Sequence, residues 1–425
     1  MASHYKDHLG RPHVAVTGIG VVTSLGQGKE DNWAALTSGQ SGIHTITRFP
    51  TDLLNTRIAG TVDFLDASLK GASLLSLALA SSAAEEAIAQ AGLSGPFGGP
   101  LFLAAPPVEL EWQHRFALER EIAADSAAGY ERLLEVCRAS RHPEFFDASQ
   151  FGAIAERLQS KFGTRGLPVT LSTACASGAT AIQLGVEAIR RGEATRVLSI
   201  GTDGSVSAES LIRFSLLSAL STHNDPAHKA AKPFSKDRDG FVMAEGSAAL
   251  VMEPLESAIA RGAKVLGILK GCGEKADDFH RTRSKPDASP AIAAVRAALA
   301  DAGADEQSID YINAHGTSTP ENDKMEALAI STVFGERIAK IPVSSNKSMI
   351  GHTLTAAGAV EAAFSLLTML HGTIPPTINY DIPDPAIPLD TVPNVKRDAD
   401  VSMVLSNSFG FGGQNSCLVM AREAH

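Results

Sequence analysis

The feature that most constrains the fold of this chain is an alternation of short Val- and Ile-rich runs with longer Ala-rich segments of helical period. The short runs predict buried strands at His13–Val22, Arg196–Gly201, Ala248–Glu253, Lys264–Lys270, Asp310–Ala314, Pro342–Ser345, Val401–Ser406 and Ser416–Met420. The longer segments predict helices at Leu74–Ala91, Ser177–Arg191, Ala291–Ala302, Asp323–Val333 and Ala356–Leu370. Strands separated by helices favour a parallel-rich α/β fold over a β-sandwich.

The predicted elements also fall into two similar series. Each series opens with a strand, passes through helices and closes with two nearby strands. This pattern predicts two halves, residues 1–255 and 256–425. Two Pro- and Gly-rich stretches, Ser94–Pro107 and Thr373–Pro393, are predicted to be surface connections.

Composition narrows the class of protein. The 425 residues carry a net charge of −10, which argues against a nucleic-acid-binding protein. The four cysteines contain no CxxC pair, so a disulfide framework or a zinc ribbon is not expected, and a reducing compartment is favoured. No signal peptide is visible at the start, and no run of about 18 apolar residues is uninterrupted. We therefore expect a cytoplasmic protein without membrane insertion.

The segment Leu171–Gly178 holds the strongest candidate nucleophile. Small residues surround Cys175, and Ile182, Val186 and Ile189 mark a buried helical stripe directly after it. Cys175 should therefore lie at a helix N-terminus, where free N–H groups and the helix dipole favour the thiolate. The alternative is a packed, inert cysteine, which is the common role of a free cysteine and the one expected for Cys137, Cys272 and Cys417.

Two histidines follow predicted strands and lie in glycine-containing loops. His315 enters a Gly/Thr loop, and His352 precedes a helix. Their spacing is not HExxH, so a zinc protease site is disfavoured. A single histidine in such a place is more often structural, but two at strand ends are better explained as parts of one site. The Gly18/Gly20 pair lacks the full dinucleotide-binding fingerprint, so we expect no Rossmann cofactor site.

Taken in order, these motifs resemble those of the β-ketoacyl-acyl-carrier-protein synthases of the type II elongating class. The segments that carry the resemblance are Val14–Thr23, Thr173–Gly178, Arg238–Gly246, Asn313–Thr319, Asn346–His352 and Asn407–Gly413. They span nearly the whole chain.

The resemblance implies a thiolase-like α/β fold of two pseudo-symmetric halves, in layers of helices and sheets, and a homodimer. It implies Cys175, His315 and His352 as the catalytic triad with Lys347 in support; a structural ion pair, for instance with Glu326, is the alternative role for Lys347. The implied substrates are acyl- and malonyl-loaded acyl carrier protein, in fatty-acid elongation. A thiolate suits acyl transfer, and two imidazole N–H groups suit the enolate left by decarboxylation. No cofactor is required.

Further roles come from the resemblance alone. The N–H groups of Cys175 and Phe411 would form the oxyanion hole, and Phe409 with Phe411 would form a gate; two core aromatics in a turn are the alternative. Phe214 would line the acyl pocket or simply be core. Thr317 and Thr319 would bind the phosphopantetheine arm. A monovalent-cation site would use Asn313, Glu361, Ser406 and Asn407, although Glu361 could equally be a satisfied buried acid.

Three departures from the family pattern bear on specificity. Leu103–Glu109 replaces a small Gly/Ser-rich loop near the acyl pocket. Cations that dock the carrier are few, because Lys70 is alone between Asp63 and Glu85 and Ser218 stands where Arg is common. Gln414 replaces a usual Thr after the glycines. The first two suggest a specialised carrier or a very-long-chain or modified acyl group.

Two other functions stay open at the level of sequence. A non-catalytic chain-length partner of an active synthase would usually lack the nucleophile, whereas Cys175 and both histidines are present. A thiolase would normally use a second catalytic cysteine, and Cys417 lies outside the matching motif.

Overall fold

A computed structural model describes residues 5–65, 71–120, 129–139 and 142–424. The strands are β1 Val14–Thr23, β2 Gly26–Gln27, β3 His44–Thr45, β4 Ile58–Ala59, β5 Leu101–Ala104, β6 Val169–Leu171, β7 Val197–Asp203, β8 Gly246–Pro254, β9 Gly267–Ala276, β10 Tyr311–Asn313, β11 Val343–Ser344, β12 Thr373–Ile374, β13 Arg397–Asp398, β14 Met403–Phe409 and β15 Gln414–Ala421.

The helices are α1 Lys29–Thr37, α2 Ala72–Gln90, α3 Trp112–Arg120, α4 Tyr130–Arg138, α5 Pro143–Ala148, α6 Ala153–Phe162, α7 Ser177–Arg190, α8 Ala208–Leu216, α9 Leu255–Ala260, α10 Ser289–Ala302, α11 Pro320–Phe334, α12 Lys347–Ile350 and α13 Ala357–His371. Every strand and helix predicted from the pattern is present. The largest displacement is at Lys264–Lys270, because the strand observed there, β9, starts and ends further along the chain.

One large sheet has the strand order β11-β10-β14-β15-β9-β1-β8-β7-β5-β6, with β2 beside β1. Outward from the β9/β1 pairing, one side has the order β1, β8, β7, β5, β6 and the other has the order β9, β15, β14, β10, β11. In both series, the strand that comes first in the chain is followed by the last, the second-last, the second and the third strand of that series. The directions also match, since β5 is parallel to β6 and β7 just as β10 is parallel to β11 and β14. The same five-strand unit therefore occurs twice along the chain.

Helices form layers on the faces of this sheet. α7 contacts β5, β7 and β8 and also β15, while α13 contacts β8 and β14, so this helix pair packs between the two five-strand units. α2 covers β1, β8 and β7 on one side, and α10 covers β9 and β15 on the other. The α/β class and the layered arrangement are confirmed.

The glycines of β1 permit the close packing of α2. A Cβ on Gly18 would lie 2.0 Å from the carbonyl oxygen of Ala87, and one on Gly20 would lie 1.9 Å from that of Ala83. Only glycine allows a helix backbone to approach this strand so closely. The Gly18/Gly20 pair therefore serves helix–sheet packing.

Two segments, α2 and Leu354–His371, are long and apolar enough to cross a membrane by length and composition alone. Neither segment is an uninterrupted apolar run of about 18 residues, because Ser, Thr and Glu interrupt their apolar residues. The most apolar window of Leu354–His371 is 89% buried, as expected for the helix between the two five-strand units, and that of α2 is 39% buried. Both helices pack against the sheet.

One predicted connection is wrong. Ser94–Pro107 contains β5, a strand with neighbours on both sides whose residues Leu101, Leu103 and Ala104 are fully buried. The glycines and prolines that flank this four-residue strand produced the turn signal, and the strand is too short to show a period.

Candidate active site

A cavity of about 580 Å³ brings together eight of the side chains predicted to form the site. Its wall includes Cys175, Phe214, His315, Thr317, Thr319, His352, Phe409 and Phe411. One sulfur or ring-nitrogen atom from each of Cys175, His315 and His352 lies within 4.8 Å of the other two. The structure thus places one thiol and two imidazoles, distant in sequence, around one open space.

Cys175 lies on a sharp turn directly before α7. Ala174 has a φ of 49°, which is uncommon for a residue with a side chain. Ser177 holds the turn, since its hydroxyl donates to the carbonyl of Ala174 (2.5 Å) and accepts from the N–H of Thr173 (2.8 Å). The predicted position at a helix N-terminus is confirmed.

The expected preference of Cys175 for the thiolate is wrong for this site. Burial raises the pKa of the thiol to about 11, although the positive charge of Lys347 and a hydrogen bond from the N–H of Phe411 act in the opposite direction. Loss of water around the sulfur outweighs the favourable dipole and charge. The site therefore holds a protonated thiol at neutral pH.

His315 is oriented by Lys347. It lies just beyond β10, and its ring nitrogen Nδ1 is 3.3 Å from the ammonium of Lys347, which can only donate. The same ammonium also donates to the His315 carbonyl at 2.7 Å. The neutral ring must therefore carry its proton on Nε2, which makes Nε2–H a donor.

His352 reaches the same tautomer through a different partner. Its Nδ1 accepts the backbone N–H of Leu354 at 3.2 Å, so the neutral ring again carries its proton on Nε2. The two histidine rings meet edge to face, with centroids 5.3 Å apart. Two Nε2–H donors are thus held next to each other beside the thiol.

Both imidazoles are neutral at ordinary pH. Burial is the larger cause and the positive charge of Lys347 the second, and together they hold the pKa of both rings well below the usual value of histidine. The proximity of His352 lowers the pKa of His315 further. The rings can therefore donate hydrogen bonds without carrying charge.

Lys347 pairs with Glu361, and the suggested ion pair with Glu326 is wrong. The Lys347 ammonium and the Glu361 carboxylate are in direct contact and both side chains are almost fully buried. Burial raises the pKa of Glu361 to about 7, and Lys347 opposes that rise. Glu326 instead accepts the backbone N–H groups of His315 (2.8 Å) and Gly316 (2.7 Å), so it fixes the loop that carries His315.

The gate and pocket aromatics line the cavity as a continuous set. The rings of Phe214 and Phe241 pack edge to face, and Phe241 packs likewise on His352. Phe409 lies 6.0 Å from the His315 ring. Phe241 was missed as a site residue, although it lies inside the Arg238–Gly246 motif; its role depends on a contact with His352 that sequence does not show.

Thr317 and Thr319 lie at the cavity wall with their hydroxyl oxygens 2.9 Å apart. Thr319 is also the N-cap of α11, since its hydroxyl accepts the N–H of Asn322. These hydroxyls lie where an extended polar ligand entering the cavity could meet them.

The four predicted cation ligands are all buried, and contacts link three of them, Asn313, Glu361 and Ser406, while the Asn407 amide donates to Glu326. Asn313 and Ser406 are paired across the β10/β14 register, and Asn313 Nδ2 donates to the backbone carbonyl of Glu361 at 3.1 Å. Four oxygens have no hydrogen-bond partner among the described residues: Asn313 Oδ1, Glu361 Oε2, Ser406 Oγ and Asn407 Oδ1. Unpaired buried oxygens of this kind fit a hard monovalent cation.

The three departures occupy distinct places. Ser218 lines the cavity, and Gln414 opens β15 with its carbonyl accepting the N–H of Gly410. Glu109 forms an ion pair with Arg213 on α8. Lys70 lies outside the described residues. Cys417, the alternative second cysteine, is fully buried on β15, and the described part of the cavity wall does not include it.

Comparison with known proteins gives a consistent result. The model for the β-ketoacyl synthase N-terminal domain matches residues 11–95 and 122–258, and the C-terminal-domain model matches residues 266–381. The chain is 36% identical to a 3-oxoacyl-[acyl-carrier-protein] synthase 2 of Coxiella burnetii, over 96% of this chain and 98% of that protein. It is 38% identical to the tetracenomycin polyketide synthase ketoacyl synthase alpha subunit of Streptomyces glaucescens, over 96% and 97%.

Solved structures extend the likeness to the fold. One is a type II polyketide synthase acyl-carrier protein in complex with its ketosynthase bound to a hexaketide; the TM-score is 0.85 at 30% identity, over 97% of this chain and 99% of that chain. Another is the ishigamide ketosynthase/chain length factor, with a TM-score of 0.83 at 33% identity, over 97% and 99%. The fold is thiolase-like, as the sequence predicted.

Proposed function

Because this chain belongs to the β-ketoacyl synthase family and is a condensing acyltransferase, we propose that Cys175, His315 and His352 carry its reaction. The observation that supports these roles is the convergence of the thiol and two Nε2–H donors on one cavity. The acyl chain would be held on Cys175, and malonyl-acyl carrier protein would supply two carbons, giving 3-oxoacyl-acyl carrier protein.

The first half-reaction transfers the acyl group. The sulfur of Cys175 attacks the thioester carbonyl, a new S–C bond forms, and the bond to the pantetheine sulfur breaks. The thiol proton leaves with the departing pantetheine sulfur, so no net charge remains in the buried site. Backbone N–H groups of Cys175 and Phe411 are the proposed oxyanion donors, since Phe411 already directs its N–H to the sulfur.

The second half-reaction forms the carbon–carbon bond. Malonyl-carrier loses its carboxylate as carbon dioxide, and the electron pair moves to the thioester oxygen as an enolate. Two neutral imidazole N–H groups stabilise that charge without donating a proton fully. The enolate carbon then attacks the acyl thioester, and the Cys175 thiolate departs and regains a proton from water.

Supporting roles follow from the contacts. Lys347 is the proposed positioning residue, because it fixes the His315 tautomer while Glu361 balances its charge. Phe409 and Phe411 are the proposed gate, Phe214 the acyl-pocket wall, and Thr317 with Thr319 the pantetheine contacts.

Members of the family require no cofactor, since the nucleophile is part of the protein. A structural monovalent cation would be held by Asn313, Glu361, Ser406 and Asn407, whose unpaired oxygens support this assignment. Such an ion would order the strand ends below the histidines.

We also propose the molecular setting. The repeated strand order supports two halves at residues 1–255 and 256–425. A homodimer in the cytoplasm, served by acyl carrier protein, is supported by the family and by the edge strand β6, which pairs only with β5 among the described residues. The Leu103–Glu109 departure and the Glu109–Arg213 ion pair support a specialised acyl chain.

A single-turnover assay tests the function. The protein is incubated with acyl-carrier and then malonyl-carrier, and the carrier products and carbon dioxide are measured by mass spectrometry. We expect a 3-oxoacyl-carrier longer by two carbons, and none from Cys175→Ala. Offering acyl chains of several lengths on two carriers tests the specialised substrate; equal rates with ordinary medium and long chains on a general carrier would reject it.

A further inference from the structure

Three cations at the open end of the cavity have no role in the proposed chemistry. Arg281 and Arg283, between β9 and α10, and Lys324, in the first turns of α11, all line the same cavity as Cys175 and are exposed. No ion pair joins any of them to another residue within 5–65, 71–120, 129–139 and 142–424. We call these three residues the cationic rim.

Hydrogen bonds anchor the backbone segment that carries Arg281 and Arg283, although the two guanidinium groups form no ion pair in the described ranges. The carboxylate of Asp277 accepts the N–H groups of Phe279 (3.0 Å) and Lys285 (2.8 Å), which folds the segment back on itself. The carbonyl of Arg281 accepts the N–H of Gly412 at 2.8 Å, so this segment is tied to the Phe409–Gly413 loop. The two guanidinium groups therefore start from fixed positions beside the cavity entrance.

Two acids share this wall, and neither neutralises the rim. The Asp277 carboxylate accepts two backbone N–H groups, and neither it nor the exposed Glu321 forms an ion pair within the described ranges. Three cations against two acids leave this wall with an excess of positive charge. The chain as a whole carries a net charge of −10. A local excess of positive charge on an acidic protein marks the place where an anion is drawn in.

Among the described residues that line the cavity, Arg281, Arg283 and Lys324 are the only lysine or arginine residues. Ser218, in the same wall, is uncharged. An anionic ligand entering this cavity therefore meets free positive charge on the side of the rim.

We propose that the cationic rim binds the phosphodiester at the head of the phosphopantetheine arm. This inference rests on the proposed function, in which the arm enters the cavity past Thr317 and Thr319. A guanidinium fork matches phosphate geometry, and exposed Lys adds a third charge. The phosphodiester fits better than the acidic surface of the carrier, because the rim residues line the cavity itself rather than the surface beyond it.

Binding measurements on the full chain separate the phosphate from everything else. The ligands are pantetheine and its 4′-methyl phosphodiester, which differ only in the charged group. By calorimetry at low salt, we expect the diester to bind at least about tenfold more tightly than pantetheine. The variant Arg281→Gln/Arg283→Gln/Lys324→Gln should lose this difference, and 0.5 M salt should reduce it in the wild type.

A matched control is Arg296→Gln, since Arg296 is exposed on α10 and lies outside the cavity wall. It should keep the tenfold preference. Equal binding of the two ligands by the wild type would overturn the proposal. So would a triple variant that weakens binding of the whole carrier but keeps the preference for the diester, because that result would assign the rim to the carrier's acidic surface.

Failure of the proposed function gives a different result. Loading of Cys175 by acyl-pantetheine, which has no phosphate, is followed by intact mass on the wild type. A chain that prefers the diester but never gains an acyl group would keep the phosphate site and reject the condensing role. A chain that gains the acyl group but binds both ligands equally would keep the condensing role and reject the phosphate site.

Discussion

At the scale of single residues, two neighbours that can only donate hydrogen bonds fix the tautomers of the buried histidines. The Lys347 ammonium and the Leu354 N–H both donate to an Nδ1 atom, which leaves Nε2–H on each ring as the remaining donor. Burial and the charge of Lys347 keep the pKa of both rings low, so this donor form persists at ordinary pH. In the proposed reaction, the pair is thereby arranged to donate to an enolate oxygen before substrate arrives.

Replacing either histidine should damage decarboxylation more than acyl loading. His315→Ala or His352→Ala removes one of two donors to the developing charge, for which we expect a loss of about 10²–10³ in the rate of carbon dioxide release. Loading of Cys175, followed by intact mass, should fall much less. His371→Ala, at the exposed end of α13, is the control. Equal losses in both steps would contradict the assigned role.

Removing the positive charge at Lys347 should shift the pH profile of decarboxylation. The ammonium is a cause of the lowered pKa of both rings, so Lys347→Met should raise those pKa values and move the acid limb of the profile to higher pH. The double variant Lys347→Met/Glu361→Gln avoids an unpaired buried carboxylate and should show the same shift. An unmoved acid limb in the double variant would show that Lys347 has only a structural role.

At this scale, sequence located the three proposed reacting groups and failed for their surroundings. Cys175, His315 and His352 were identified from motif order, and all three line the cavity. The partner of Lys347, the packing of Phe241 on His352 and the raised thiol pKa were not foreseen, because each depends on distances between residues far apart in the chain.

At the scale of elements, the site depends on how closely α7 and α13 approach each other. A Cβ on Gly178 would lie 2.4 Å from the backbone nitrogen of Ala359, and one on Gly358 would lie 2.5 Å from that of Ala179. Such contacts require glycine on both helices. This crossing places the turn that carries Cys175 next to the segment that follows His352.

Gly178→Ala should therefore destabilise the protein by about 1–3 kcal/mol or more, since the added methyl group must push two helix backbones apart. Urea denaturation measures the loss, and Cys175 loading should fall with it. Gly152→Ala is the matched control, because its Cβ would meet only the end of Glu156 at 3.9 Å. A Gly178→Ala variant as stable as the wild type would show that the two helices can separate freely.

Long Ala-rich helices and Val- or Ile-rich strands were predicted, whereas shorter amphipathic helices such as α6 and α8 were missed. Helices such as α10 and α13 were placed to within a few residues. β5 was mistaken for a connection because glycines and prolines flank it and its four residues are too few to show an alternation of apolar and polar side chains. Its place in the sheet comes from pairing with β6 and β7.

At the scale of the whole molecule, the chain forms one sheet from two five-strand units with the same strand order. Ionisable side chains, among them His315, His352 and Glu361, are buried in this fold. The buried histidines and carboxylates act on stability in opposite directions as pH changes. In the unfolded chain histidine takes up a proton near pH 6.5, whereas the folded pKa is lower, so histidine-linked stability is lost as pH falls below about 6.5. The pKa of Glu361 is raised to about 7 in the folded protein, so the stability that its protonated form contributes is lost as pH rises from about 4.5 to 7.

A comparison of variants isolates the histidine effect. Between pH 7 and pH 5, the free energy of unfolding of the wild type should fall relative to that of His352→Gln by up to about 2 kcal/mol, because only the wild type must keep that buried imidazole neutral. Urea denaturation at several pH values measures this difference. A difference that stays constant with pH would mean that His352 titrates alike in the folded and unfolded chain.

The proposed mechanism depends most on Cys175 as the residue that carries the acyl chain, and peptide mapping by mass spectrometry after incubation with acyl-carrier tests this directly. We predict that the acyl mass is found on the peptide containing Cys175, that Cys175→Ala gains none, and that Cys137→Ala, which alters an exposed cysteine outside the cavity wall, loads like the wild type. An acyl adduct on the Cys175→Ala protein would contradict the mechanism.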